Sequence, residues 1–310
     1  MAQWDPGRVS AGSKLHAIAR LIRVEHTLFS LPFAYAGAIL SGHPFTLADA
    51  VLIALALLGL RSAAMAYNNI ADLDIDRLNP RSASRPLVVG AVSTREAYAV
   101  VVLGSILYYA SAALLNKYAL ILSPLLWLTA MTYPYAKRIH PLPHVHLGLV
   151  LGLSVLGGAV AASGDEASSL WDALSSVPWD YVAGVTLWVA GFDIVYSIMD
   201  LEFDRRHGLG SIPVVLGARR AVVAALLFHV ASALLMLRGT IIRGFTLAGV
   251  CGVIAGSTIM IAGDIMVLRD TSNVPRAFNA NLLVGILIST GIIIDYLLVQ
   301  AKPLINALPH

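Results

Sequence analysis

The chain has 310 residues, 58 % of them hydrophobic and only 13 % charged, with a net charge of +3. An apolar excess spread along the whole length excludes a disordered chain, a secreted disulfide scaffold and an ordinary soluble domain. Scattered basic residues exclude a nucleic-acid partner, and Cys251, alone in an apolar run, forms no internal disulfide. An all-α integral membrane protein, embedded in the lipid bilayer, is what remains.

Residues 1–25 hold no signal-peptide core, because Asp5, Pro6, Arg8, Lys14, Arg20 and Arg23 interrupt them. Residues 1–12 read as a frayed tail, and the stretch from Lys14 to Glu25 as a basic amphipathic helix lying on a membrane surface. Nine apolar runs then approach the ~20 residues that a spanning helix needs: 26–41, 48–68, 96–115, 118–134, 145–163, 180–199, 220–238, 244–268 and 280–301. The expected organisation is an amphipathic segment, 1–25, followed by one nine-helix transmembrane domain, 26–302.

Lys and Arg set the orientation. With the N-terminus inside, sixteen of them fall in inside segments, from Arg8 to Arg276. Four (Lys117, Arg238, Arg243 and Lys302) fall outside, and Arg61 lies within the second span. The long outer loop 164–179 carries Asp165, Glu166 and Asp172 with no base. The expectation is a multi-pass cell-membrane protein with its N-terminus and motif loops cytoplasmic and its C-terminus outside.

Two of the inside segments repeat one pattern. Asp72-Leu73-Asp74-Ile75-Asp76-Arg77 is matched by Asp200-Leu201-Glu202-Phe203-Asp204-Arg205. Each is followed at nearly the same distance by a Pro-to-Gly segment, Pro86–Gly90 and Pro213–Gly217, and then by an apolar helix. This is an internal duplication into two related halves. Residues four apart share a helix face, so Asn68, Asp72 and Asp76 form one polar stripe, and Tyr196, Asp200 and Asp204 another. Asp74 and Glu202 point elsewhere. Carboxylates at a membrane edge are costly unless paired or metal-bound. Hard oxygen donors without His or Cys suit Mg²⁺, which completes its shell with water and phosphate oxygens, rather than zinc. The two loops, 77–95 and 205–219, would cap the bundle and order when diphosphate and metal bind.

Asn68-x3-Asp72-x3-Asp76, with the trailing Arg81-Ser82-x-Ser84-Arg85-Pro86-Leu87, and Asp200-x3-Asp204 resemble the paired aspartate motifs of the UbiA superfamily of intramembrane prenyltransferases. Tyr133-x3-Lys137 resembles that family's third patch. The resemblance implies an allylic prenyl diphosphate held through Mg²⁺, two ions, by Asn68, Asp72, Asp76, Asp200 and Asp204. Departure of the diphosphate then leaves an allylic cation, which a small aromatic acceptor of the 4-hydroxybenzoate type attacks. Arg85, Lys137, Tyr133 and Tyr196 are the expected diphosphate contacts. For Arg81 and Arg138 a phosphate role and the inside bias stand level.

Arg61, seven residues before Asn68 on the same face, is the candidate for the acceptor's carboxylate or a phosphate oxygen; its alternative is a structural ion pair, for instance with Asp193. His140, His144 and His146 read as an interfacial loop broken by Pro141 and Pro143. Asp264 and Asp295 read as helix–helix hydrogen-bond partners, and Trp171 and Trp179 as interface anchors. A secondary transporter is the distant alternative, although its site belongs near the midplane. A transferase acting on alcohol phosphates would need an Asp-Gly pair within its motif, absent here. Naphthoate, haem, chlorin and geranylgeranylglyceryl phosphate are the alternative acceptors.

Overall fold

The computed structural model describes residues 11–44 and 46–306, with side chains for 14–44 except 24–29, and for 46–298. Arg8, the tail up to Ser10 and the side chain of Lys302 lie outside the described residues. All the regular structure described is helical.

A short helix α1 (Ala11–Ile22) leads into α2 (Val24–Leu40). The long helices are α3 (Leu47–Ala71), which continues as the one-turn α4 (Leu73–Asp76), α5 (Thr94–Leu115) and α6 (Lys117–Thr132). After the short α7 (Ala136–Ile139) come α8 (Pro143–Ser163), the short α9 (Leu170–Ser175) and α10 (Trp179–Ser197). The short α11 (Leu201–Arg206) and α12 (Ile212–Leu216) precede α13 (Ala218–Ile242), α14 (Leu247–Arg269) and α15 (Val274–Asn306). Among the described residues eight helices are long and apolar enough to cross a membrane. The first of the nine expected spans is the exception. α2 has 17 residues, and its described apolar part, Ser30–Leu40, is shorter still. The chain is a multi-pass membrane protein.

Successive long helices run in alternating directions, so α3 and α10 both end, and α5, α8 and α13 begin, at one end of the bundle, here the motif end. Capping boxes start two of them. Thr46 exchanges hydrogen bonds with Asp49 at α3, and Ser93 does so with Glu96 at α5. Helix contact then depends on small residues. A Cβ on Gly59 of α3 would lie 2.6 Å from the carbonyl oxygen of Gly104 in α5, so only hydrogen fits there. α2 and α8 meet the same way, through Gly37 and Gly158.

α8 and α10 run through the middle. Trp188, fully buried on α10, packs against Phe33 of α2 at 5.0 Å between ring centres, and its indole donates to Asn281 Oδ1 on α15 at 3.0 Å. Asp264 sits 2.6 Å from His229 Nδ1, joining α14 to α13. Asp295 accepts from the backbone of Thr246 and Gly249, joining α15 to the start of α14. Both late aspartates thus link helices. Trp171 and Trp179 are exposed.

α1 is helical with one apolar face, as the sequence reading expects. Its apolar face, Ala17 and Leu21, packs on Ala66, Leu87, Val92 and Ala97 of the protein instead of facing lipid alone. Lys14 pairs with Glu96 at 2.8 Å and donates to the Ala91 carbonyl, while Arg20 donates to the Ser84 carbonyl. An amphipathic stripe shows only that one face seeks an apolar partner, and here that partner is α3 and the loop after the first motif.

Candidate active site

The two acidic motifs share a backbone device. α3 ends at Ala71, and Asp72 takes φ −96°, ψ 3° before α4 begins. α10 ends at Ser197 in a 3₁₀ turn, Ile198–Asp200, and Asp200 takes φ −102°, ψ 1° before α11. The corresponding aspartate therefore breaks its helix in both halves. The i to i+4 bonds persist across the first break, with Asp72 N donating to Asn68 O and Asp76 N to Asp72 O, so the expected stripe survives. The carbonyl ends of both helices, carrying partial negative charge, converge with the carboxylates.

One cavity of about 480 Å³ collects the expected residues. Asn68, Asp72, Asp76, Arg85, Tyr133, Lys137, Tyr196, Asp200 and Asp204 line its mouth, and Arg61 and Asp193 its deeper wall. Asp74, Glu202 and Arg138 are not part of the lining. From the mouth an apolar limb passes Ile53, Tyr108, Leu122, Leu126 and Leu156 between the helices.

The carboxylates of the mouth carry counter-ions from other segments. Buried Asp72 accepts from Lys137 Nζ at 2.8 Å, with Arg138 at 3.7 Å from its other oxygen. Asp76, also buried, pairs with Arg85. Its carboxyl is pushed above the ordinary carboxylate range by burial and by the nearby Asp72, with Arg85 opposing. Asp200 is held by Arg81, which grips both its oxygens and also donates to Tyr196 Oη at 2.5 Å. The Arg81 guanidinium lies 4.8 Å from the centre of the Tyr196 ring, which packs on Phe278 at 4.4 Å. Asn79 adds a bond to Asp200 at 3.3 Å. Outside the mouth, Arg138 hydrogen-bonds Asp74 and holds its carboxyl below the usual range. Glu202 pairs with its neighbour Arg205.

Among the described residues no three carboxylate or imidazole groups stand together as a ready metal cage. The donors nonetheless fit a hard divalent ion, being carboxylate and amide oxygens. Among the described residues Asp72 Oδ1 is buried with no hydrogen-bond partner, Arg138 standing off at 3.7 Å, and a bound cation would satisfy it.

Three features were not visible in the sequence reading. Arg81 holds the second motif although it trails the first. Arg61 does not pair with Asp193; among the described residues its buried Nε has no hydrogen-bond partner, and a like-charged neighbour is Arg23, which lines the cavity from the left-handed turn between α1 and α2 (φ 47°). Asp193 pairs instead with His144 Nδ1 at 2.7 Å. The reading of the His140–His146 segment as a broken loop holds for His140, which lies between α7 and α8, and is corrected for His144 and His146. Pro143 is the first residue of α8, a position where proline's missing N–H costs nothing, so His144 and His146 lie in a helical first turn. His146 Nε2 faces the Thr129 carbonyl at 2.8 Å.

Residues 30–285 match the UbiA prenyltransferase family. The chain is 30 % identical over 298 residues to the 4-hydroxybenzoate octaprenyltransferase of Yersinia enterocolitica, covering 92 % of this chain and 98 % of that one. Its fold superposes on the apo structure of a UbiA homologue from Aeropyrum pernix K1 with a TM-score of 0.81 and 60 % identity, over 87 % of this chain and 98 % of that one. A UbiA homologue from Archaeoglobus fulgidus, solved bound to GPP and Mg²⁺, shares the fold with a TM-score of 0.62 at 20 % identity, over 89 % and 99 % of the two chains.

Proposed function

The chain belongs to the UbiA prenyltransferase family and is a membrane prenyltransferase, and on that premise we propose that it transfers a prenyl group, with Mg²⁺, from an allylic diphosphate to a small aromatic acid of the 4-hydroxybenzoate type. The observation that carries this reading is the meeting of two matched, cation-paired acidic motifs at the mouth of one cavity whose inner limb is apolar. Family membership sets aside the transporter alternative.

In this reading Asn68, Asp72 and Asp76 from one half, and Asp200 and Asp204 from the other, hold two Mg²⁺ ions. When bound, the ions supply positive charge against the diphosphate as it departs. Arg85, Lys137 and Arg81 leave their carboxylates and turn to phosphate oxygens, Arg81 and Arg85 with a two-pronged grip. Tyr133 and Tyr196 hydrogen-bond the same headgroup. The apolar limb takes the isoprenoid tail and keeps water from the allylic cation. Arg61, with its unused donor, binds the carboxylate of the acceptor. The relative crystallised with GPP and Mg²⁺ and the octaprenyltransferase relatives support this choice of ligands. The motif end faces the cytoplasm in keeping with the inside bias of Lys and Arg, residues 1–25 form the amphipathic segment, and α2 completes nine spans within the domain 26–302, capped by the two motif loops.

The test is transfer in proteoliposomes from labelled geranyl or longer prenyl diphosphates to a panel of acceptors, with and without Mg²⁺. Prenylated 4-hydroxybenzoate is the expected product, lost in Asp72→Ala and Asp200→Ala. Near-normal turnover by either variant would overturn the metal assignment, and exclusive use of a non-aromatic acceptor would overturn the substrate class.

A further inference from the structure

Asp193 lines the same cavity as the motif acids, but its partner is different in kind. Asp72, Asp76 and Asp200 each face a Lys or Arg. Asp193 faces His144, whose Nδ1 lies 2.7 Å from Oδ2. The other ring nitrogen fixes the tautomer. His144 Nε2 stands 3.3 Å from the backbone N–H of Ile212, and an N–H can only donate. Nε2 therefore keeps its lone pair, and Nδ1 carries the proton and donates it to Asp193. The imidazole is only 2 % exposed and held at both nitrogens.

Two chemical consequences follow. Asp193 has one oxygen fixed and is given no neutralising cation among the described residues. Its second oxygen, Oδ1, has no hydrogen-bond partner among the described residues, and its side chain stays 18 % exposed beside the cavity. A carboxylate so held is a base with an open lone pair. His144 cannot take a proton itself, since Ile212 covers its only free nitrogen.

Depth fits as well. Arg61 lies eleven residues before Asp72, and Asp193 seven before Asp200. At about 1.5 Å per α-helical residue and about 2 Å through the 3₁₀ turn at 198–200, the difference is roughly 5 Å, comparable to the length of a para-substituted benzene ring. An acceptor carboxylate on Arg61 then brings the para hydroxyl to the level of Asp193.

We propose that Asp193 accepts the phenolic proton of the aromatic acceptor and that His144 is the residue that positions it; this rests on the aromatic-acceptor reading above. As the allylic C–O bond breaks, its electron pair leaves with the diphosphate. The ring carbon ortho to the hydroxyl forms the new C–C bond with its π pair. The O–H pair closes to a ring C=O while the proton passes to Asp193 Oδ1. The alkylated carbon then gives its proton to the departed diphosphate, and Asp193 returns its own to the oxygen, restoring the phenol and the carboxylate.

The experiment uses the full-length protein in nanodiscs with Mg²⁺, geranyl diphosphate, and either 4-hydroxybenzoate or its 3-fluoro analogue, whose phenol is more acidic and keeps one free ortho carbon. Asp193→Asn is expected to lower transfer to 4-hydroxybenzoate about 100-fold, in the range of general-base loss, and the deficit shrinks to about 10-fold with the fluoro acceptor, which ionises more readily. His144→Ala loses about 10-fold in kcat with little change in either KM. His144→Asn, whose amide can donate from the Nδ1 position, restores most of that. An Asp193→Asn deficit equal for both acceptors, or no deficit, overturns the proposal. Should Asp193→Asn fail to fold, the His144 pair decides: equal loss in Ala and Asn variants overturns the positioning. A wild-type enzyme that prenylates no phenol sinks the functional reading and this inference together, whereas phenol transfer undiminished in Asp193→Asn sinks this inference alone.

Discussion

Arg81 closes its guanidinium over both oxygens of Asp200, 119 residues further along the chain. The loop that trails the first motif thereby secures the second, and the two acidic motifs are joined at the mouth of the cavity.

Removing that link has a direct expected outcome. Arg81→Ala should lower kcat/KM for the prenyl diphosphate by about 100-fold, the scale of losing one aimed donor on a departing anion. Arg81→Lys should recover only part, because an ammonium cannot reproduce the two-oxygen grip. Steady-state transfer at saturating acceptor checks both.

Metal and headgroup should bind together. Lys137, Arg85 and Arg81 sit on the carboxylates proposed to hold the metal, and on that proposal displacing them is favourable only when phosphate oxygens receive them. Calorimetric titration should therefore show Mg²⁺ binding at least about 10-fold tighter with a non-ionising prenyl diphosphate analogue present, an ordinary size for coupling between sites. Chelation with EDTA should abolish transfer, and Mg²⁺ should restore it.

Arg61→Ala should separate the two substrates. Loss of a charged hydrogen-bond donor costs about 1.5–3 kcal/mol, or roughly 10- to 150-fold in binding. The KM for the aromatic acid should rise by that factor while the KM for the prenyl diphosphate stays put. An unchanged acceptor KM would remove Arg61 from the acceptor site.

The crossing of α3 and α5 admits a stability test. Gly59→Val puts a branched side chain where a single carbon would already meet the Gly104 carbonyl at 2.6 Å. A loss of about 1–3 kcal/mol is expected for such overpacking, visible as a lower Tm in detergent.

Much of the fold is legible from chain composition because a bilayer demands long apolar runs, and the runs read from the sequence correspond to the long helices. α2 is the exception, since a 17-residue helix sits at the margin of that rule. The acidic stripes were legible because helix spacing is local and the pattern occurs twice. Arg81, Arg23 and the His144–Asp193 pair were not. Lys and Arg crowd inside loops for topological reasons, so position alone does not single out one that crosses to another motif. Pro143 stops a helix arriving from one side and starts one leaving on the other, and only the chain direction of α8 distinguishes these. α1 shows the same limit, because an apolar stripe does not name the surface it will cover.

The two helix breaks at Asp72 and Asp200 carry a last implication. α3 and α10 travel the same way through the bundle, so the aspartates that end them come to one face of it, unlike the opposed faces that inverted copies give many carriers. Inverted copies place like features on opposite faces and rock between them. Parallel copies stack like features on one face. On the proposed reading the polar head of the donor arrives, reacts and departs on that single side, and only its hydrocarbon has to enter the bilayer interior.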